Sequence, residues 1–374
     1  MMLILRGLRT HPAEFFRRVF PLVDDLPLKR PETEPPQIIA KVRGRLDLPR
    51  KGSIQRSHLA ALDSLRFRDP LKAAEGVERV IEFIDADDLP FALGIWASSQ
   101  RRVFEFDQAI HALSEGLQIA EQRKSQAALG DLLLRRGCVA ADHGDYYAAL
   151  EMARDATDRY ARACDWVSVG RTFVDRGAWL YYLERYNDAI AMQEQALSLL
   201  TPDQHRNRFA ALQGLALYYQ ALEDFDAAEK FSADAMMESE FLAPIFIAQN
   251  TWFRGVLASK KGSLEESELL LQSVVGILKT IHLGDAALAT IDLAEVQLDA
   301  EKPQAAYESV NGILPLLAPL GGNNRIVRSA ETVLRDLMQR GKYGMRMAIV
   351  DELRSLVSSL KRERHFWRSL MKSS

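Results

Sequence analysis

The chain has 374 residues, a length at which one hydrophobic core normally gives way to two or three domains or to an extended repeat array. Hydrophobic residues make up 48% and charged residues 26%, and the longest apolar stretches, such as 242–248, are far too short to span a bilayer, so the sequence does not read as a membrane protein. The net charge of −3 is unevenly spread: residues 1–56 carry twelve Lys and Arg against six Asp and Glu, residues 346–374 carry seven against three, and the part between is acidic.

The N-terminal Met1 to Leu5 is apolar but lacks the long apolar region and small-residue cleavage site of a secretory signal, so a cytoplasmic location is expected. Thr10-His11-Pro12 followed by Ala13-Glu14-Phe15-Phe16 has the polar residue and proline of a helix start. With residues 4–8 before it, this stretch resembles the closing turn and last helix of lambda-repressor-type helix-turn-helix domains. The recognition helix is absent, and the resemblance implies the sensor half of a regulator without its DNA-reading half. Residues 21–52 hold six prolines and many charges and are expected to be extended. Residues 1–56 thus form a basic, Pro-rich arm with one short helix. Contact with nucleic acid through this arm is the lesser reading, and a solvated surface the plainer one.

From residue 57 the pattern becomes helical. Residues 57–66 and 72–84 read as a helix pair, with Pro70 placed to start the second helix. Beyond residue 90 one register holds to about 345. Short turns recur at Phe104-Glu105-Phe106, Gly144-Asp145-Tyr146, Glu184-Arg185-Tyr186, Glu223-Asp224-Phe225, Gly262-Ser263-Leu264, Glu301-Lys302-Pro303 and Gly341-Lys342-Tyr343, at intervals of 39 or 40 residues. Three residues after the large side chain of each turn stands a small one: Ala109, Ala149, Ala189, Ala228, Ser267 and Ala306, with Arg346 the exception. Nine residues before it stands another: Ala97, Gly137, Gly177, Ala216, Gly255 and Ala294, with Leu334 the exception. A third small position, Gly116, Ala156, Ala196 and Ala235, follows on the same helical face and gives way to Val274 and Ile313. Small residues at matched positions let two antiparallel helices approach closely, and the aromatic after the turn fills the wedge between neighbouring pairs.

Gly137, Tyr146, Ala149 and Ala156, and again Gly177, Tyr186, Ala189 and Ala196, resemble the tetratricopeptide repeat, over roughly two thirds of the chain. The period is longer than the usual 34 residues of that family, as in kinesin light chains and maltose-activator-type regulators. HEAT repeats share a period near 40 but lack paired small residues around an aromatic turn. The resemblance implies an all-α, right-handed superhelical solenoid of about seven to eight antiparallel helix pairs, with the array over 57–345 and a basic capping helix over 346–374.

No phosphate loop, dinucleotide fingerprint, His-Glu-x-x-His or nucleophile elbow occurs, so no catalytic, cofactor or metal site is expected. Asp142-His143-Gly144-Asp145 reads as a turn, and Gly321-Gly322-Asn323-Asn324 as a connection between repeats. Arg136, Arg176 and Arg254 recur before a small Gly and suggest a shared structural role. Cys138 and Cys164 lack metal spacing and read as core fillers.

The resemblance further implies a non-catalytic scaffold that binds a protein or peptide on the concave face lined by first helices. Register places Arg101, Arg171, Tyr181, Gln213, Gln220, Gln249, Trp252 and Lys260 there. For Trp252, packing inside the array is an equal alternative. Gly94, Ser98 and Arg135 occupy the positions where chaperone-binding members hold a C-terminal carboxylate, so that clamp is expected to be absent.

Overall fold

Close helix approach, turn glycines and aspartate caps together give a run of helical hairpins. A computed structural model describes residues 35–46, 56–66, 69–102, 105–281 and 283–317. All regular structure among them is helical: α1 Gln37–Leu46, α2 Arg56–Leu65, α3 Pro70–Val80, α4 Leu89–Arg102, α5 Phe106–Gln122, α6 Gln126–Asp142, α7 Tyr146–Arg162, α8 Trp166–Tyr182, α9 Tyr186–Leu199, α10 His205–Ala221, α11 Phe225–Ser239, α12 Pro244–Lys260, α13 Leu264–Ile281, α14 Leu283–Asp299 and α15 Pro303–Leu317. From α2 onward they pack as seven consecutive pairs among the described residues. The expected helix near residue 10, the connection at Gly321-Gly322-Asn323-Asn324 and the capping helix over 346–374 lie outside the described residues.

Contacts divide the described chain into two compact units, one ending at Thr201 and the other starting at Pro202. In the first unit each pair packs against the next, α5 on α6 and α7 on α8. In the second, α11 packs on α12 and α13 on α14.

The small-residue register is the contact register. Ala109, Ala149, Ala189, Ala228, Ser267 and Ala306 are all fully buried, and Ala97, Ala216 and Ala294 face them at 2% exposure or less. A Cβ on Gly137 would stand 3.2 Å from the carbonyl oxygen of Ala149, and one on Gly177 would stand 3.1 Å from that of Ala189. Those backbones approach too closely for a side chain between them. Where Ser267 replaces alanine, its hydroxyl donates to the Gly255 carbonyl at 2.7 Å, so the polar atom is satisfied inside the contact.

Five of the turns inside pairs use one left-handed residue each: Gly144, Glu184, Glu223, Gly262 and Glu301 have φ of 82°, 60°, 62°, 84° and 59°. The aromatic is the first residue of the second helix rather than the end of the turn. Asp145 and Asp224 cap those helices by accepting from the Ala148 and Ala227 amides at 3.0 and 3.1 Å. Asp142-His143-Gly144-Asp145 is therefore a helix stop and start. Upstream, Asp69 caps α3 through the Lys72 amide at 3.0 Å with Pro70 in the first turn, as the sequence implies.

The turns allow a clean test of the backbone term. A Cβ added at Gly262 (φ +84°) or at helical Gly276 would meet nothing within 4 Å. Gly262→Ala is expected to cost about 1 kcal/mol through the left-handed conformation alone, and Gly276→Ala to add about 0.5–1 kcal/mol. Urea unfolding of the two variants should show opposite signs, and a shared sign would refute the turn assignment.

Two expectations need correction. Residues 37–46 are not extended but form α1, which packs on the 3-10 turn Ile81–Phe83 and on α5 and buries Ile38, Ile39 and Val42. Five of the six prolines of this region precede the helix, Pro36 immediately before it, where proline's fixed φ suits a helix start, and the apolar spacing then supplies a buried stripe. Arg43 locks it with two bonds to the Glu115 carboxylate at 2.9 and 2.7 Å. Cys164 is no core filler: it is exposed and takes the left-handed position, φ 55°, between α7 and α8. Cys138 is half-buried, and both thiols are free.

Candidate partner-binding face

The first helices of the first unit share one face, and it is charged. Arg101 of α4 donates to Asp142 of α6 at 2.7 Å. Asp131 of α6 accepts from Arg135 one turn on at 2.6 Å and from Arg171 of α8 at 3.0 Å. Arg135 also reaches Asp63 of α2 at 3.1 Å, the Ser98 hydroxyl at 2.7 Å and the Gly94 carbonyl at 3.2 Å. Arg66 bonds Asp63 at 2.7 Å. The network thus links four first helices.

Burial and neighbouring charge compete at each member. Burial pushes the Asp63 carboxyl up, but Arg135 and Arg66 outweigh it and hold the group far below the usual carboxylate range. Asp131 is depressed in the same way by Arg135 and Arg171 against its burial. Burial lowers Arg66 to about 10, with help from the like charge of Arg135. Burial also pushes the Cys138 thiol up to about 11, which makes it a poor nucleophile. Asp175 of α8 is the exception among the acids: burial raises its pKa, and the charges of Arg171, Arg101 and Arg66 do not overcome the effect.

The face is crowded yet open to solvent, since the Arg171 side chain keeps 34% of its surface and Asp142 keeps 26%. Of the residues placed here by register, Arg101 and Arg171 lie in the network. Tyr181 is 7% exposed and packs against Tyr182 and Tyr186 with ring centroids 5.8 and 5.5 Å apart. The positions of the carboxylate clamp are tied to one another, because Arg135 binds both Gly94 and Ser98.

In the second unit Trp252 is 1% exposed and donates its indole N–H to Asp292 at 2.7 Å, so packing is its role in this conformation. Gln213 and Gln220 are 8% and 6% exposed, and neither amide nitrogen has a hydrogen-bond partner among the described residues. Gln249 is half-buried and Lys260 exposed. The recurring arginines do not share one environment: Arg176 lies over the Phe173 ring at 5.4 Å, whereas Arg254 is exposed.

Sequence reasoning missed Asp63, Arg66, Asp131 and Asp175, and it read Arg135 only as a clamp position and Asp142 only as part of a turn. The signal was present, because Arg101 and Asp142, and Asp131 and Arg171, are opposite charges separated by 41 and 40 residues, one repeat apart.

A separate cleft of about 420 Å³ lies off this face, where α1 meets α3, α4 and α5, and is lined by Lys41, Glu78, Glu105 and Asp107 among others. Among the described residues no group of three or more His, Cys, Asp or Glu could hold a metal ion, and no helix is long and apolar enough to cross a membrane.

Helical hairpins recurring at a constant register and stacked within each unit, with a charged face on the first helices of the first unit, define a helical-repeat protein. Residues 168–236 match the model of the tetratricopeptide repeat family. The fold is shared with a Rap protein solved in complex with Competence and Sporulation Factor, at 14% identity, 87% of this chain, 89% of that one and a TM-score of 0.57. It is shared with aspartyl phosphate phosphatase F from Bacillus subtilis, at 12% identity, 83% and 85% coverage and a TM-score of 0.55. Cut9-Hcn1 of the APC/C hetero-tetramer aligns at 12% identity over 95% of this chain and 68% of that one, with a TM-score of 0.52. No curated protein matches the sequence. At these identities the likeness concerns the fold alone.

Proposed function

We propose that the chain is a non-catalytic scaffold that holds a protein or peptide partner on the face formed by its first helices. The observation that carries this reading is the Arg/Asp network, which joins side chains one and two repeats apart while leaving Arg171 a third exposed. Rigid helices present these groups to one side, which suits recognition of a polar partner at low ordering cost. The tetratricopeptide fold supports the same reading. Burial holds the Cys138 thiol beside the network in its protonated form, which suits a packing role better than nucleophilic chemistry. A sensor role within a regulator is the narrower version, favoured by the basic balance of residues 1–56.

Capture of partners from the native cell extract on the full chain, compared with Arg171→Ala, tests the scaffold reading. Loss of at least about tenfold of one captured protein is expected, the scale of a charge pair at an interface. Identical captures by the two folded chains would remove the face from consideration.

A further inference from the structure

One carboxylate beside the network is bonded to none of its arginines. Arg66, Arg101, Arg135 and Arg171 each have a carboxylate oxygen within 3.1 Å, supplied by Asp63, Asp131 and Asp142. Asp175 lies near Arg171, Arg101 and Arg66, yet it makes no hydrogen bond or ion pair among the described residues, and it is only half-buried. An incoming anion would have to displace an existing carboxylate from an arginine. An incoming cation needs to displace nothing.

The repeat itself shows what the vacancy lacks. Asp292 holds the same register as Asp175, nine residues before the left-handed turn residues Glu301 and Glu184. Asp292 is satisfied by the indole N–H of Trp252, which stands ten residues before the turn residue Gly262 of the preceding pair. The position matching Trp252 in the pair before Asp175 is Leu134, ten before Gly144, and leucine has no donor. Among the described residues no donor takes that place at Asp175, and a charged donor from a partner would compensate its carboxylate better than a neutral one.

Resting on the scaffold reading above, we infer that Asp175 is the specificity residue for a lysine or arginine side chain of a bound peptide, inserted on the first-helix face between α6 and α8. Arg101 and Arg171 flank the insertion and discriminate against acidic residues at the adjacent peptide positions.

The test is selection of a random displayed peptide library on the immobilised full chain and on its Asp175→Asn and Asp175→Lys variants, each checked for native helicity by circular dichroism. On the wild type, Lys and Arg should be enriched over Asp and Glu by about tenfold or more at one peptide position, the preference expected of a close charge pair. Asp175→Asn should erase that preference while still yielding peptides, and Asp175→Lys should replace it with an acidic one. Basic enrichment that persists unchanged in Asp175→Asn, or wild-type peptides without basic enrichment, overturns the assignment and leaves the scaffold reading standing. A library that yields no peptide on any of the three folded chains removes the peptide-binding reading and this inference together.

Discussion

Replacing Asp131 with alanine is expected to lower the unfolding free energy by about 3 kcal/mol at neutral pH, because it removes one partner from a buried ion network and leaves cations behind. Asp131 receives Arg135 at 2.6 Å and Arg171 at 3.0 Å, and the Arg135 side chain is only 6% exposed. Arg135 keeps Asp63 at 3.1 Å, which places the cost near the lower end of the range for breaking a buried pair. Arg171→Ala should cost less, since that side chain is 34% exposed and Asp131 retains Arg135.

The pH dependence gives the same prediction a sign. The Asp131 carboxyl is held below its ordinary range, so its contribution is present above the unfolded pKa of about 3.9 and is lost as the pH falls through the folded value. The gap between wild type and Asp131→Ala, followed by urea unfolding with circular dichroism, should therefore close on acidification below about pH 4. Asp175 runs the other way: its raised pKa contributes stability at low pH that is lost as the pH rises. A gap of under about 1 kcal/mol at neutral pH, or one that widens in acid, would show that the network does not hold the first helices together.

The fold was legible where the physics left one choice. Two backbones at the separation seen between Gly137 and Ala149 admit only glycine, alanine or a hydrogen-bonded serine, so residue identity reports geometry directly. Trp252 and Tyr181 were not legible in this way, because a large amphipathic ring suits a groove and an interior equally and only the neighbours decide. For Trp252 the deciding neighbour is Asp292, forty residues away. The charged network stayed hidden for a similar reason: Arg101 and Asp142 look like solvated single charges until the repeat is used to place one helix beside the next. Helix α1 was obscured by averaging prolines over a window that also held ten proline-free residues with an apolar stripe.

The register makes its own strong prediction at the helix contacts. Ala149 and Ala228 are fully buried, each at the point where the second helix of a pair meets the first, and Ala228 belongs to a core with Ala216, Phe253 and Leu257. A leucine at either position has no space to enter without moving a neighbouring backbone, and overpacking of this kind costs about 1–3 kcal/mol. The close approach at Gly137, where even a Cβ would lie 3.1 Å from Trp179 and 3.2 Å from the Ala149 carbonyl, puts Ala149→Leu near the upper end. Ser198 is exposed near the end of α9, and Ser198→Leu should change stability by less than about 0.5 kcal/mol. Thermal melts of the three variants separate the cases: a drop for both alanine substitutions beside an unchanged serine variant requires the small residues to be contact points. Equal shifts at all three positions would mean that the close approach of paired helices, from which the whole first-helix face is built, is misplaced.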